Sequence, residues 1–395
     1  MTSSGEPPTT WYLHGCETAE WFAARSLPDV RHAIFYGAQF FLPSDGTMQP
    51  VFDGHNDVLL RLWETARNGG DPINEFRDGI PTGHIDGPRA KAGGLAGGLC
   101  AIFVPSRQGD RPMLGQGTYA SPLAEPIDQP AALAAATGMA GIARRLDREG
   151  AWRLCTSTAS IRKAIDDDVF AAVLHMEGCE PIDVDLYALD LFYAAGLRSL
   201  GPVWSRTNAF GYGVPFAYPS SPDTGPGLTD AGIRLVKACN RLGIMIDLSH
   251  ITEQGFWDVA KTSEMPLVAT HSNVHAITPV TRNLTDKQLD AIRETGGMVG
   301  LNYATSFLRP DGQENASTPL TDMVRHVDYL VERLGINCVG LGSDYDGATI
   351  PAEIGDAAGQ QALVGALRQA GYGEAELIKL CRDNWLRVLA KTWRE

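Results

Sequence analysis

Five short motifs carry most of the polar chemistry of this chain. They are VFDGHND at 51–57, HMEG at 175–178, IDLSH at 246–250, THSN at 270–273 and GSDYDG at 342–347. Each places a histidine or a carboxylate at the end of an apolar run. His55 and Asp57 stand two apart, so on a strand both side chains leave the same face. Either this stretch is a plain turn, or two metal ligands face one cavity. With Glu177, His250, His271 and Asp344 the set holds three imidazoles and three carboxylates, all types that zinc accepts. Each member alone has a structural reading: a hydrogen-bonded histidine at a strand end, or a turn at Glu177-Gly178 or Asp346-Gly347. The weight lies in the joint pattern.

The elements that must position these groups read as an alternation. Short runs rich in Val, Ile and Leu mark eight expected strands, at 51–56, 97–104, 170–177, 197–204, 244–249, 266–271, 297–303 and 338–343. Near-continuous apolar runs suit parallel strands covered on both faces. Amphipathic stretches lie between them. In 228–243, Thr229 is an N-cap candidate, Leu235, Cys239 and Leu242 share a stripe, and Gly243 is a stop. In 321–335 the expected stripe is Val324, Val327, Val331 and Leu334, closed by Gly335. Eight strands alternating with helices predict an α/β fold, a (β/α)8 TIM barrel, with a doubly wound open sheet as runner-up. No GxGxxG follows the first strand, which weighs against dinucleotide binding. The Pro/Gly-rich stretches at 105–126 and 211–227 are expected to be loops, the second strongly aromatic. In a barrel the six ionisable groups would close five strands on the one face where active sites are built. Two divalent cations would compensate their charge.

Composition narrows the class. The 395 residues suffice for one barrel with insertions, and 44% hydrophobic with 20% charged content fits a globular chain. A formal net charge of −14 argues against nucleic acid as partner. Seven scattered cysteines without a CxxC suggest free thiols and a reducing compartment. No stretch is long and apolar enough for a membrane span. Residues 1–47 read as an N-terminal extension that the domain of 48–395 does not need, or as a strand or helix packed on its outside, without the pattern of a signal peptide. A cytoplasmic protein is expected; a homodimer is left open.

VFDGHND, HMEG, IDLSH, THSN, TRN at 281–283 and GSDYDG, in that order, resemble the renal-type membrane dipeptidases, metallopeptidases of the amidohydrolase superfamily. The resemblance spans 51–395 and ends in RDNWLRVL of the closing helix. It implies an amidohydrolase-like barrel, two zinc ions per chain (other divalent metals left open) and hydrolysis of dipeptides, with tolerance of a C-terminal D-residue. Carried over by position, His55 and Asp57 would hold one metal, His250 and His271 the other, and Glu177 both. Asp344 would handle protons, Arg282 would meet the substrate carboxylate, and Asn283 would support it. The chemistry agrees: two metals about 3.5–4 Å apart can share a hydroxide and lower its pKa, and a guanidinium fork suits a carboxylate. Arg282 alone reads equally well as half of a surface salt bridge.

One departure stands out. After the fourth strand the family pattern reads roughly LTH, and its histidine contacts substrate. Here the stretch is GPVWSRTN, with Trp204 at that position. An indole can donate one hydrogen bond but carries no charge. Three expectations stand: Arg206 or Asn208 replaces the lost donor, Trp204 narrows the pocket, or Trp204 simply packs under the 209–227 loop. Tyr303, at the end of the seventh strand, completes the expected substrate contacts. A second function therefore stays open, hydrolysis of another amide, a lactam or an ester. A non-catalytic metal-binding barrel is a third. His175, two before Glu177, is expected in a core or supporting role.

Overall fold

The computed structural model describes residues 48–106, 114 and 117–395. The extension expected over 1–47 lies outside the described residues, as does part of the 105–126 stretch. The eight expected strands are all present: β1 (Val51–Asn56), β2 (Leu95–Phe103), β3 (Ala171–Glu177), β4 (Leu197–Gly201), β5 (Met245–Ile246), β6 (Val268–Ala269), β7 (Met298–Asn302) and β8 (Val339–Gly342). Every residue of β1, β3, β7 and β8 is buried. That two-sided burial is why their sequences run apolar without alternating.

All ladders between these strands are parallel, in the order β1-β2-β3-β4-β5 and β6-β7-β8. Two bridges close the ring. Asp247 pairs with Val268 between β5 and β6, and Asn56 pairs with Tyr345 between β1 and the end of β8. Asp344 N donates to His55 O at 3.0 Å and Asp57 N to Tyr345 O at 2.8 Å, which reinforces the second closure. The architecture is thus a (β/α)8 barrel.

β5 and β6 are shorter than the runs suggested. Oδ1 of Asp247 accepts from the backbone N–H of Ser249 at 3.0 Å and of Thr270 at 2.8 Å. A side chain takes the place of ladder carbonyls there and ends the regular pairing.

The barrel interior is packed with Phe52, Leu99, Val173, Met245, Val268, Met298 and Trp385. Trp385 comes from the final helix, Asn384–Trp393, and its indole donates to Leu341 O at 3.0 Å. A Cβ on Gly54 would lie 2.3 Å from that indole. The glycine of VFDGHND therefore has a packing cause: it lets the closing helix plug the barrel under the polar strand end.

The outer helices obey local rules. Thr229 caps Asp230–Leu242 by accepting from Gly232 N at 3.1 Å, and Gly243 ends it at φ 72°. Leu235 and Cys239 are buried and Leu242 is half-buried. Helix Leu320–Leu334 also ends at a glycine, Gly335, but its buried face is Met323, His326, Val327, Leu330 and Leu334. Val324 and Val331 are only half-buried. The stripe is rotated because His326 goes inward, accepting from Val274 N at 3.2 Å and donating to Leu308 O at 3.0 Å. A polar residue with internal partners counts as core, which a hydrophobic pattern does not register.

The two stretches read as loops also differ from expectation. Tyr119–Ala120 and Ala217–Tyr218 pair as an antiparallel ribbon, so one excursion is tied to the other. The six described cysteines are free and buried. Among the described residues no helix is long and apolar enough to cross a membrane.

Candidate active site

The C-terminal ends of β1, β3, β5, β6 and β8 bring the six ionisable residues together. Oε1 of Glu177 lies 3.0 Å from His250 Nε2, 3.4 Å from His271 Nε2 and 3.7 Å from His55 Nε2. His250 Nε2 and His271 Nε2 are 3.1 Å apart, and His55 Nε2 is 3.6 Å from Asp57 Oδ2. His55 and His271 stack at a centroid separation of 3.8 Å. Two of the positions require unusual backbone: His250 has φ 67° and Asp344 φ 60°. Left-handed conformations in non-glycine residues cost about 1–3 kcal/mol and persist where the surroundings over-determine them. Here they turn the chain so that both side chains enter the site.

Hydrogen bonding decides which atoms face one another. Thr270 Oγ1 donates to Asp247 Oδ2 at 2.6 Å, so its lone pair must accept from His271 Nδ1–H at 2.8 Å. The His271 Nε2 is then bare. His250 Nδ1 has its own partner, Ser205 Oγ, at 2.8 Å. Burial first, and then the positive charge of Arg282 on His250 and of His55 on His271, keep both imidazoles well below their usual pKa. His250 Nε2, His271 Nε2 and Glu177 Oε1 thus converge within 3.4 Å of one another. His55 Nδ1 and Nε2 and Asp57 Oδ1 are buried without a hydrogen-bond partner. Buried polar atoms left without partners at this spacing are what a bound cation would satisfy. Burial alone would lower the His55 imidazole, but Glu177, Asp57 and Asp344 outweigh it and push it up to about 10. Burial, the largest cause, also raises the Asp57 carboxyl and holds that of Glu177 well above the usual range, so these carboxyls lack enough positive charge beside them. The donor set fits divalent metal: His55 groups with Asp57 and Asp344, and again with Glu177 and His271.

The remaining expected residues separate. Asp344 joins the cluster; its Oδ2 accepts from Asn302 Nδ2 at 2.9 Å. Arg282 is 3% exposed. Its Nη2 donates to His271 O at 3.1 Å, its Nε has no partner, and its Cζ lies 5.3 Å from the centroid of Phe307. It is no surface ion pair. Asn283 is engaged internally, donating to Thr278 O and Phe307 O, both at 2.9 Å, and accepting from Asn273 N at 3.2 Å. It fixes the loop that carries Arg282. Trp204 stands beside His250, with the two rings 5.7 Å apart. It also packs on Phe216 of the following loop at 5.8 Å.

Arg206 and Tyr303 are not placed for substrate. Arg206 is fully buried. Its Nε pairs with Glu180 Oε1, Nη1 with Ser106 Oγ and Nη2 with Val104 O, each at 3.0 Å. A guanidinium partnered on all three nitrogens is an internal ion pair, not an oxyanion donor. Tyr303 is fully buried too, and its hydroxyl accepts from Gln360 Nε2 at 2.9 Å. Both corrections have one cause: a strand-end position does not reveal whether the chain turns the side chain into the mouth or under it.

Asp247 and Gly347 escaped the motif reading. Asp247, within IDLSH, orients His271 through Thr270. Asp53 accepts from Ser343 N at 2.7 Å and Ser343 Oγ at 2.8 Å, which ties β1 to β8 and sets His55 against Asp344. Burial pushes its carboxyl up to about 6 against those bonds. Gly347 is required by space, since a Cβ there would lie 2.2 Å from Asp57 Oδ2 and 2.6 Å from Asp344 Oδ1. The DYDG spacing was the available signal, and it reads equally as a turn.

The barrel and its converging ligand set define a metal-dependent hydrolase. A model of the membrane dipeptidase family, peptidase family M19, matches residues 47–394. The chain belongs to that family and is a metallopeptidase that hydrolyses peptide bonds. It is 52% identical over 246 residues to an uncharacterised protein of the pqqA 5′ region of Klebsiella pneumoniae, covering 62% of this chain and 91% of that protein. It is 40% identical over 291 residues to one of the PQQ-III 3′ region of Acinetobacter calcoaceticus, covering 72% and 90%. A metallopeptidase from Rhodobacter sphaeroides, solved with a phosphinate mimic of the dipeptide L-Ala-D-Ala, superposes with a TM-score of 0.85 at 51% identity, covering 88% of this chain and 100% of that one.

Proposed function

We propose that this chain is a dipeptidase with two zinc ions, acting on dipeptides that carry a free C-terminal carboxylate and tolerating a D-residue there. The observation that carries the reading is the convergence of His55 Nε2, His250 Nε2 and His271 Nε2 on Oε1 of Glu177, beside the buried guanidinium of Arg282. His55 and Asp57 would hold one cation, His250 and His271 the other, and Glu177 would serve both. Such cations supply Lewis acidity toward a carbonyl oxygen and acidify water. The chain's own groups do the rest. Arg282 binds and orients the substrate carboxylate, with its unpartnered Nε available for a charge-assisted bond. Asn302 holds Oδ2 of Asp344, and Asp344 takes a proton from the attacking water and returns it to the leaving amine. The phosphinate mimic of L-Ala-D-Ala bound by the Rhodobacter sphaeroides relative supports both the substrate length and the D-residue.

The second reading, an amide, lactam or ester without the carboxylate, is favoured by Trp204 at a substrate-facing position. The test is metal content by elemental analysis together with hydrolysis of L-L and L-D dipeptides. The expected result is two zinc per chain with turnover. Asp344→Asn should keep its metal and lose about 10²–10⁴ in kcat. Two zinc without turnover of any dipeptide would favour the second reading, and full activity in Asp344→Asn would remove the proton-transfer role.

A further inference from the structure

Four aromatic rings stand in a row on the His250 side of the site. Phe307 begins it, 5.3 Å from Cζ of Arg282. Phe216 stacks on Phe307 at 6.1 Å with an interplanar angle of 14°. Trp204 follows at 5.8 Å and Phe103 at 5.1 Å. Phe216 and Trp204 also flank the imidazole of His250, at 6.3 and 5.7 Å. Phe103 is the register partner of Glu177 across β2 and β3, so the two side chains leave the sheet on the same face. Phe307 is buried, whereas Phe216, Trp204 and Phe103 are half-buried and present ring surface.

The far end of this wall is fixed from behind. Cζ of Arg206 lies 5.3 Å from the Trp204 ring and 5.8 Å from that of Phe103. That guanidinium is immobile, since Glu180, Ser106 and Val104 hold its three nitrogens. Its charge is neutralised by Glu180 at 3.0 Å. The wall therefore offers a rigid apolar surface with no free ionic partner behind it.

A dipeptide whose carboxylate met Arg282 would set its C-terminal residue against Phe307 and Phe216, its scissile bond beside Glu177 and His250, and its N-terminal residue toward Trp204 and Phe103. We infer that Trp204 and Phe103 form the subsite for the N-terminal side chain and select a large apolar or aromatic one. This rests on the dipeptidase reading above. Large side chains gain buried area and edge-to-face ring contact. Charged ones lose hydration against rings whose neighbouring ion pair is already neutral.

The test is kcat/KM of the zinc-loaded full chain on dipeptides with C-terminal alanine and Gly, Ala, Leu, Phe, Asp or Lys at the N-terminus. Phe and Leu should exceed Gly, Asp and Lys by about tenfold or more, within the range of about 10–200-fold open to an apolar pocket. Trp204→Ala and, separately, Phe103→Ala should each bring the Phe-to-Gly ratio toward one. Phe103→Ala guards against misfolding of the tryptophan variant. A wild-type preference for Gly, Asp or Lys, or a ratio unchanged in both variants, would overturn the assignment while leaving the dipeptidase intact. Zinc-loaded protein that cleaves none of the series would overturn the dipeptidase and the subsite together.

Discussion

Arg282 gives the sharpest test of how substrate is held. The guanidinium is 3% exposed, one nitrogen serves His271 O at 3.1 Å, and Nε is buried without a partner. A carboxylate received here would be desolvated and would meet the cation by charge-assisted bonds. Losing one partner of such a buried pair costs about 2–5 kcal/mol. At about 1.4 kcal/mol per tenfold, that is about 30-fold to several thousandfold in kcat/KM. The perturbation is Arg282→Met, which keeps the stem over Phe307 and deletes the charge. The assay is kcat/KM for Ala-Ala against Ala-Ala amide, in wild type and variant, with zinc counted in both. The acid-to-amide ratio should fall at least about 30-fold in the variant. Arg282→Lys should recover only part of it, because an ammonium has no planar fork. An equal loss on acid and amide at unchanged zinc content would refute the carboxylate role; it would instead assign Arg282 to holding the His271 carbonyl.

Three further outcomes follow from the geometry. Gly347→Ala should drive a methyl into Asp57 and Asp344, with zinc content reduced and kcat lowered about 10²-fold or more, while circular dichroism stays native; an unaltered enzyme would mean the DYDG turn relaxes freely. Asp247→Asn removes the acceptor that fixes Thr270 and hence His271, so zinc affinity by competitive chelation should weaken about 10–100-fold; unchanged affinity would sink the relay. Burial lowers the His326 pKa to about 4, with the bond to Leu308 O opposing it and Arg325 assisting. The unfolded chain, titrating near 6.5, binds the extra proton first, so stability is full above about pH 6.5 and falls by about 3 kcal/mol as pH drops to about 4. Urea unfolding of zinc-loaded protein should show this slope, and His326→Gln, which keeps a donor and an acceptor, should flatten it; identical slopes would place the titration elsewhere.

Much of this protein is local in origin. Eight apolar runs became eight strands because each is buried over most of both faces, and that requirement is written residue by residue. Thr229 with Gly243 bounds a helix by backbone chemistry alone. The six ionisable groups were legible because a barrel sends every strand end to one face, so order along the chain suffices. Tertiary structure decided the rest. Whether Arg206 meets substrate or Glu180, and whether Tyr303 lies in the mouth or under Gln360, depends on the path of the chain after each strand. The inward turn of His326 depends on a carbonyl eighteen residues away, at Leu308. Asp247 gains its role only where β5 and β6 meet, and Gly347 its necessity only where two carboxylates from distant strands converge. Sequence specifies which groups can ligate, donate or pack. Which of them face one another is set by contacts between segments far apart in the chain, and those exist only once the ring is closed.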